Sequence, residues 1–312
     1  MAEAALPWLV VLLVAGFVSA TMVSSNLTVP YLAWDSHAYW GALGAADPYA
    51  GARVGKIGSF LYPPPFLQLL APLGGLPWPL FSFGWAALLT ATAIALLRRV
   101  PARHRWLLPI LVWVAAADIW AGNINLLLAY AVVFAMERPG AWSIIGLTKV
   151  TPLIGLLWHP LRREWRATRT AIGLTAAIGL VSWVAAPNLW RDWTAQVVFG
   201  APVDGYQQSV PVPLAIRLFL AAALVWWGAR SGRPALVPLA CAVALPVIWL
   251  NGLALAIGAA SLIDVRLLPV ADPISLRAVG SSLREAGHLV RGALRPRARL
   301  RAVWDSNPRH ED

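Results

Sequence analysis

Asp35 stands two residues before His37 and four before Tyr39, and two tyrosine-bearing turns follow, Asp47-Pro48-Tyr49 and Leu61-Tyr62-Pro63-Pro64-Pro65. An aspartate returned to the edge of a membrane is hydrated enough to ionise. Partial desolvation by a bound substrate raises its pKa toward that of a useful general base. The same run, Asp-Ser-His-Ala-Tyr-Trp, also reads as a helix start with Asp35 in the capping place. His37, Tyr39 and Tyr49 are of the types that line sugar or phosphate sites, and they are equally ordinary interfacial residues. Asp35 and His37 form only a D-x-H pair. A metal site needs more His or carboxylate ligands at close spacing, so no metal and no cofactor is expected.

Other polar residues interrupt apolar stretches. Asp118, Asn123 and Asn125 fall in one turn, where they serve either function or hairpin capping. Lys149 is one of two lysines among 25 basic residues. It suits a lipid phosphate or an acid such as Asp118, or it snorkels to headgroups. Gln207, Gln208 and Ser209, with Arg217 two turns on, offer amides, a hydroxyl and a guanidinium to hydroxyl-rich sugars or phosphate. Asn251 sits between two apolar runs. Cys241 lies inside an apolar run, so neither a disulfide within the chain nor a cysteine metal site is expected.

These residues must be positioned by a membrane fold. Of 312 residues, 59% are hydrophobic and only 12% charged, against about 25% charged in soluble domains. The apolar residues come in blocks without period-two alternation, which excludes a barrel and predicts an all-α polytopic integral membrane protein. The net charge of +11 sits in short loops and the C-terminal tail, the positive-inside pattern rather than a nucleic-acid surface. The 18 tryptophans suit interfacial belts. Walker loops, G-x-S-x-G and H-E-x-x-H motifs are all missing.

Loop charge gives a topology of about 8–9 membrane segments, some short or re-entrant. A retained first helix covers about Leu6 to Ser24, and residues 25–59 lie outside. Proline-broken 60–76 is interfacial or half-inserted, and 77–97 spans to an arginine cluster. Residues 106–136 form a hairpin of two runs too short to cross, since about 20 residues are needed. Residues 141–160 have arginines at both ends, so a broken re-entrant pair with Lys149 at its tip is expected. Spans follow at 168–186 and 212–229 around an outer loop, 187–211. Runs 235–250 and 252–264 meet at Asn251. This arrangement brings Asp35, Gln208 and Asn251 to one face. Residues 1–270 form the membrane domain. Residues 271–312 form a basic amphipathic or disordered cytoplasmic tail.

The order of these motifs resembles glycosyltransferase family 87: D-x-x-x-Y, DPY, LYPPP, a span ending in arginines, the Gly122–Asn125 turn, K-x-T-P, an outer Q-S and P-x-x-W. The resemblance implies a GT-C fold in the plasma membrane, with multiple passes and an extracytoplasmic active site. It implies transfer of a sugar, usually mannose, from a polyprenyl-phosphate donor to a glycolipid or glycan acceptor. Asp35 then falls on the family's catalytic aspartate and Tyr39 on its paired tyrosine. Lys149 falls on the lysine of the K-P-T-P breaker, with Val150 in place of proline. Gln207 replaces an asparagine before Gln208 and Ser209, and Asn251 replaces a histidine after P-x-x-W. Members usually carry further spans. On this basis the expected activity is an inverting hexosyltransferase. Asp35 is its base, and His37, Tyr39, Tyr62, Asn123, Lys149, Gln208, Arg217 and Asn251 bind substrate. A lipid-linked sugar transporter or flippase, or an inactive relative acting as a membrane partner, are the alternatives.

Overall fold

A computed structural model of the chain describes residues 33–202 and 212–268. The expected first helix, Gln207, Gln208 and Ser209, and the basic tail lie outside the described residues. The described chain is mostly helical, with no β-strand among the described residues.

Three helices are long and apolar enough to cross a membrane: α3 (Trp78–Leu97), α8 (Trp165–Ala185) and α10 (Leu214–Ser231). They correspond to three of the expected spans and are the only such helices among the described residues. Pro77 and Pro213 precede α3 and α10, where a proline's fixed φ suits the helix entrance and its missing N–H costs nothing. The other helices are shorter: α1 (Trp34–Gly44), α2 (Pro64–Leu70), α4 (Leu108–Ala121), α5 (Asn125–Glu137), α6 (Trp142–Gly146), α7 (Trp158–Leu161), α9 (Pro187–Trp193), α11 (Leu236–Val243) and α12 (Leu255–Ser261). At 1.5 Å per residue α4 and α5 each run about 20 Å, short of a hydrocarbon core of about 30 Å.

The last two expected runs are also short. Helix α11 stops at Val243 and a 3-10 turn at Leu250–Ala254 leads into α12. Pro246 lies between them and cannot continue a helix.

Helix α5 is the axis of the bundle. Leu126, Leu128, Ala129, Val132, Val133 and Ala135 are all buried, and α3, α6, α11 and α12 pack around it. Its alanines let neighbouring backbones approach closely, which is how helices associate where lipid removes the hydrophobic drive. By contrast α8 exposes Leu180, Val181, Trp183 and Val184. Apolar side chains outside and small residues inside are what a lipid solvent favours.

The bundle has two chemically different ends. At one, Arg99 pairs with Glu137 at 3.2 Å, and Arg103 and His104 both reach Asp264. Arg162 donates to Glu164 at 3.0 Å and to the carbonyls of Ala229 and Leu268. At the other end, α1 packs on the start of α3. Trp40 Nε1 donates to Leu76 O at 2.8 Å, and the His37 ring meets Trp78 edge-on at 4.8 Å. Ala33 N donates to Trp120 O at 2.8 Å, so the α4–α5 turn lies at this end too.

Residues 142–161 fold as a hairpin. Helix α6 ends at Gly146, the chain turns through Lys149, and a 3-10 segment, Thr151–Leu157, returns to α7. Trp142 Nε1 donates to His159 Nε2 at 3.1 Å, closing the base. Nε2 therefore accepts, and Nδ1 carries the hydrogen given to Glu164 at 2.7 Å. The arms meet at Gly155, where an added Cβ would lie 2.5 Å from Trp142 and 2.9 Å from Cys241 Sγ. Cys241 in turn contacts Pro152 O at 3.2 Å. Gly155→Val should overpack this contact and cost about 1–3 kcal/mol. A fall in the thermal unfolding midpoint of the detergent-solubilised protein checks it, and an unchanged midpoint would show that the arms are not held here.

Candidate active site

The site is assembled from one turn, one hairpin tip and one short helix. Helix α4 ends on Gly122, whose φ of +67° is the left-handed conformation of a helix stop. An added Cβ there would sit 2.9 Å from Ser36 Cβ and closer still to its Oγ. Gly122 is therefore required twice, by its backbone and by the close approach of α1. Its carbonyl accepts from Trp85 Nε1 at 2.8 Å, which ties the turn to α3.

From this turn Asn123 and Asn125 reach in parallel to the same ammonium. Lys149 Nζ donates to Asn123 Oδ1 at 3.0 Å and to Asn125 Oδ1 at 2.8 Å. Each asparagine then donates its amide to a different acid. Asn123 Nδ2 reaches Asp35 Oδ2 at 2.6 Å, and Asn125 Nδ2 reaches Asp118 Oδ1 at 2.9 Å. Because each Oδ1 faces a group that can only donate, both amide orientations are fixed. Asn123 Oδ1 also accepts from Ile124 N at 2.8 Å, and Asp118 Oδ2 from Leu126 N at 2.8 Å. The result is one chain: Asp35, Asn123, Lys149, Asn125, Asp118.

The two acids differ in access. Asp118 is fully buried, and Asp35 and Lys149 are half-buried. Asp35 Oδ2 is taken by Asn123, and no hydrogen bond engages Oδ1 among the described residues. Asp35 is the second residue of α1, a short helix outside the three long spans. Ala33, at φ +59°, holds the capping position without a side-chain bond. The capping reading of Asp35 is therefore corrected: its carboxylate turns toward the α4–α5 turn. Burial pushes its pKa up to about 6, partly offset by the Asn123 hydrogen bond and the Lys149 charge.

Tyrosines wall the chain. Tyr39 and Tyr62 share a hydrogen bond of 2.8 Å between hydroxyls, and Lys149 Nζ lies 5.8 Å from the Tyr62 ring centre. Tyr39 is buried against Phe66 and Trp85. Tyr49, also buried, donates to Tyr62 O at 3.1 Å. His37 is exposed on α1, with its ring against Trp40 and Trp78.

Arg217 is held elsewhere. Its guanidinium donates to the carbonyls of Val212, Leu245 and Pro246, at 3.0 Å and 2.7 Å for the first and last. This staples the start of α10 to the break after α11. Asn251, in the 3-10 turn packed on α4 and α5, is buried, with no hydrogen bond to its Oδ1 among the described residues. No group of three or more His, Cys, Asp or Glu able to hold a metal is found among the described residues.

Residues 60–273 match the sequence model of Glycosyltransferase family 87. The chain belongs to this family. It is also 32% identical over 169 residues to a polyprenol-phosphate-mannose-dependent alpha-(1-2)-phosphatidylinositol mannoside mannosyltransferase of Mycobacterium tuberculosis (strain ATCC 25618 / H37Rv). That alignment covers 43% of this chain and 39% of the relative, so the chain spans well under half the length of the relative it matches. No solved structure matches. The family match begins after Asp35, so the contact of Asp35 with Asn123 is a separate observation.

Asp118, Asn125, Ser36 and Gly122 were not among the expected substrate-contacting residues, yet they build the site. The signal was the turn itself, a glycine followed by two asparagines at alternate positions. Gly122→Ala should move α1 off the turn. A left-handed alanine alone costs on the order of 1–3 kcal/mol, before the Ser36 clash. The check is a lowered unfolding midpoint together with faster hydrogen exchange at residues 33–39.

Proposed function

We propose that the chain transfers a sugar, mannose by analogy with its relative, from a polyprenyl-phosphate donor to a hydroxyl of an envelope glycolipid or glycan. The supporting observation is a half-buried carboxylate, Asp35, with one oxygen that takes no hydrogen bond among the described residues, linked through a single asparagine to a half-buried ammonium, Lys149. Acid–base transfer and a departing phosphate need that pairing of groups.

The step proceeds with inversion. The acceptor oxygen forms a bond to the anomeric carbon while its proton passes to Asp35 Oδ1. The bond from that carbon to the phosphate oxygen breaks, and its electron pair leaves on the polyprenyl phosphate. Lys149, which has a third N–H beyond those given to Asn123 and Asn125, offsets the developing charge. Tyr62 and Asn123 shape this side, and Tyr39 acts through Tyr62. His37 with Trp40 and Trp78 forms an exposed aromatic edge suited to a sugar or headgroup. Gln208, outside the described residues, and Asn251 keep the donor- or acceptor-binding role that the sequence resemblance implies. With Arg217 spent on backbone carbonyls, the phosphate role rests on Lys149.

We place Asp35 on the extracytoplasmic side of the plasma membrane and the arginine end, with the tail, in the cytoplasm, with about 8–9 segments in all. The support is positive-inside charge, matched to an arginine-bearing end distinct from the Asp35 end.

Two outcomes are expected. Membranes carrying the wild type should move label from polyprenyl-phosphate-mannose into extracted envelope lipids. Asp35→Asn should lower that rate by on the order of 10²–10⁴ while donor still binds. The base works only when deprotonated, so kcat/KM should fall about tenfold per unit below a pH of about 6 and level off above it, for as long as Lys149 keeps its proton. Undiminished transfer by Asp35→Asn, or labelling of residue 35 from the cytoplasmic side, would overturn the reading.

A further inference from the structure

The function just proposed uses one acid, yet the chain of hydrogen bonds ends in two. Asp118 is fully buried and cannot touch a substrate. One use for it is local: its Oδ2 accepts from Leu126 N and so satisfies an orphan donor at the start of α5. That leaves Oδ1 unexplained. Oδ1 holds Asn125, and Asn125 holds Lys149.

A lysine half out of water keeps its proton only if acceptors and negative charge replace the lost hydration. Asp35 supplies charge through Asn123. In the proposed reaction, however, Asp35 takes up the acceptor's proton and becomes neutral. At that moment it no longer favours the ammonium, and the phosphate is departing. Asp118 has no route to the acceptor, and the hydrogens it accepts from Asn125 and from Leu126 N are of the kind that favour a carboxylate in its charged form.

We infer that Asp118 is a positioning residue for Lys149, a buried counter-charge acting through Asn125 that keeps the ammonium protonated and aimed between Asp35 and the Tyr62 ring. The two asparagines have parallel duties: one couples the ammonium to a carboxylate that reacts, the other to one that does not. The inference rests on the proposed function for its catalytic meaning, but the counter-charge itself is testable without turnover. The charged and titratable groups facing Lys149 are Asp35 from α1, Asp118 from α4 and Tyr62 from the proline turn, with Tyr39 behind.

The chain has two lysines, so Lys149 can be titrated directly. Trace acetylation of the intact protein in detergent with acetic anhydride, from pH 6 to 11, gives the pH of half-reaction by peptide mass spectrometry. Lys56, at an exposed position, is the internal standard. Asp118→Asn keeps an oxygen for Leu126 N but removes the charge. It should lower the half-reaction pH of Lys149 by about one unit or more and leave Lys56 unmoved. The double variant D118N/N125D moves the charge next to Lys149 and should restore the wild-type value. This guards against a variant that merely folds poorly. In the transfer assay Asp118→Asn should raise the donor KM about tenfold with kcat changed less than about threefold, and the double variant should reverse it.

An unmoved Lys149 titration in Asp118→Asn would overturn the inference whatever the transfer assay shows, as would a shift that the double variant does not reverse. A shifted and rescued titration with an unchanged donor KM would establish the counter-charge and count instead against Lys149 as the phosphate group. If the wild type transfers nothing, the acetylation result still decides.

Discussion

A protonated amine held away from bulk water depends on what accepts its hydrogens, and much of this structure follows from satisfying Lys149. Its Nζ finds Oδ1 of Asn123 and of Asn125, both on one turn. For that turn to face the lysine, α4 must stop on a left-handed glycine. For the lysine to arrive there, residues 142–161 must double back. That reversal puts irregular backbone inside a bundle, which is tolerated where protein covers it. Trp142, Trp158 and Cys241, all buried, supply the cover.

Aromatic packing makes the geometry rigid where polar bonds alone would leave it loose. Tyr39, Tyr62, Phe66 and Trp85 meet largely edge to face at 4.8–5.5 Å. Such pairs are worth about 0.5–1.5 kcal/mol each beyond area burial. More important is what they connect. Trp85 belongs to α3 and holds the Gly122 carbonyl; Tyr39 belongs to α1, the helix of Asp35; Tyr62 sits under the lysine. Three separate elements are thereby fixed relative to one another, the precision that the general base proposed for this site would need.

Much of this was legible in the sequence. The block pattern announced a helical membrane protein, and the arginine-flanked break around Lys149 announced a doubled-back segment. Long spans were found within a few residues because a 20-residue apolar run between charged loops has few alternatives. Asp35 was singled out because an acid at that place is costly without a use. What could not be read was pairing. Nothing in the sequence says that Asn123 turns to Asp35 while Asn125, two residues on, turns to Asp118. In a tight turn that choice is set by tertiary contacts. Arg217 shows the converse error: a cation in an apolar helix suggests an anionic ligand, but a bent chain also offers free carbonyls, and Arg217 takes three of them. Asp35 at a helix start suggested a cap, yet the neighbouring turn offered an amide.

The chain from Asp35 to Asp118 carries two carboxylates and one ammonium. With all three ionised its net charge is −1, an odd balance for the anionic lipid donor proposed above. The imbalance becomes useful when position is considered. The negative charge in excess lies on Asp118, at the closed end, fully buried and bonded to Asn125 and to the start of α5. The positive charge lies at the half-open side, nearer to whatever enters. A phosphate bound as proposed would face the ammonium, with the Asp118 carboxylate behind an asparagine. Asp35, beside the opening, shares that ammonium through Asn123, which restrains its basicity even as burial raises it. In the proposed reaction, one lysine held between a reacting acid and a silent one serves the leaving group without surrendering its proton to the base.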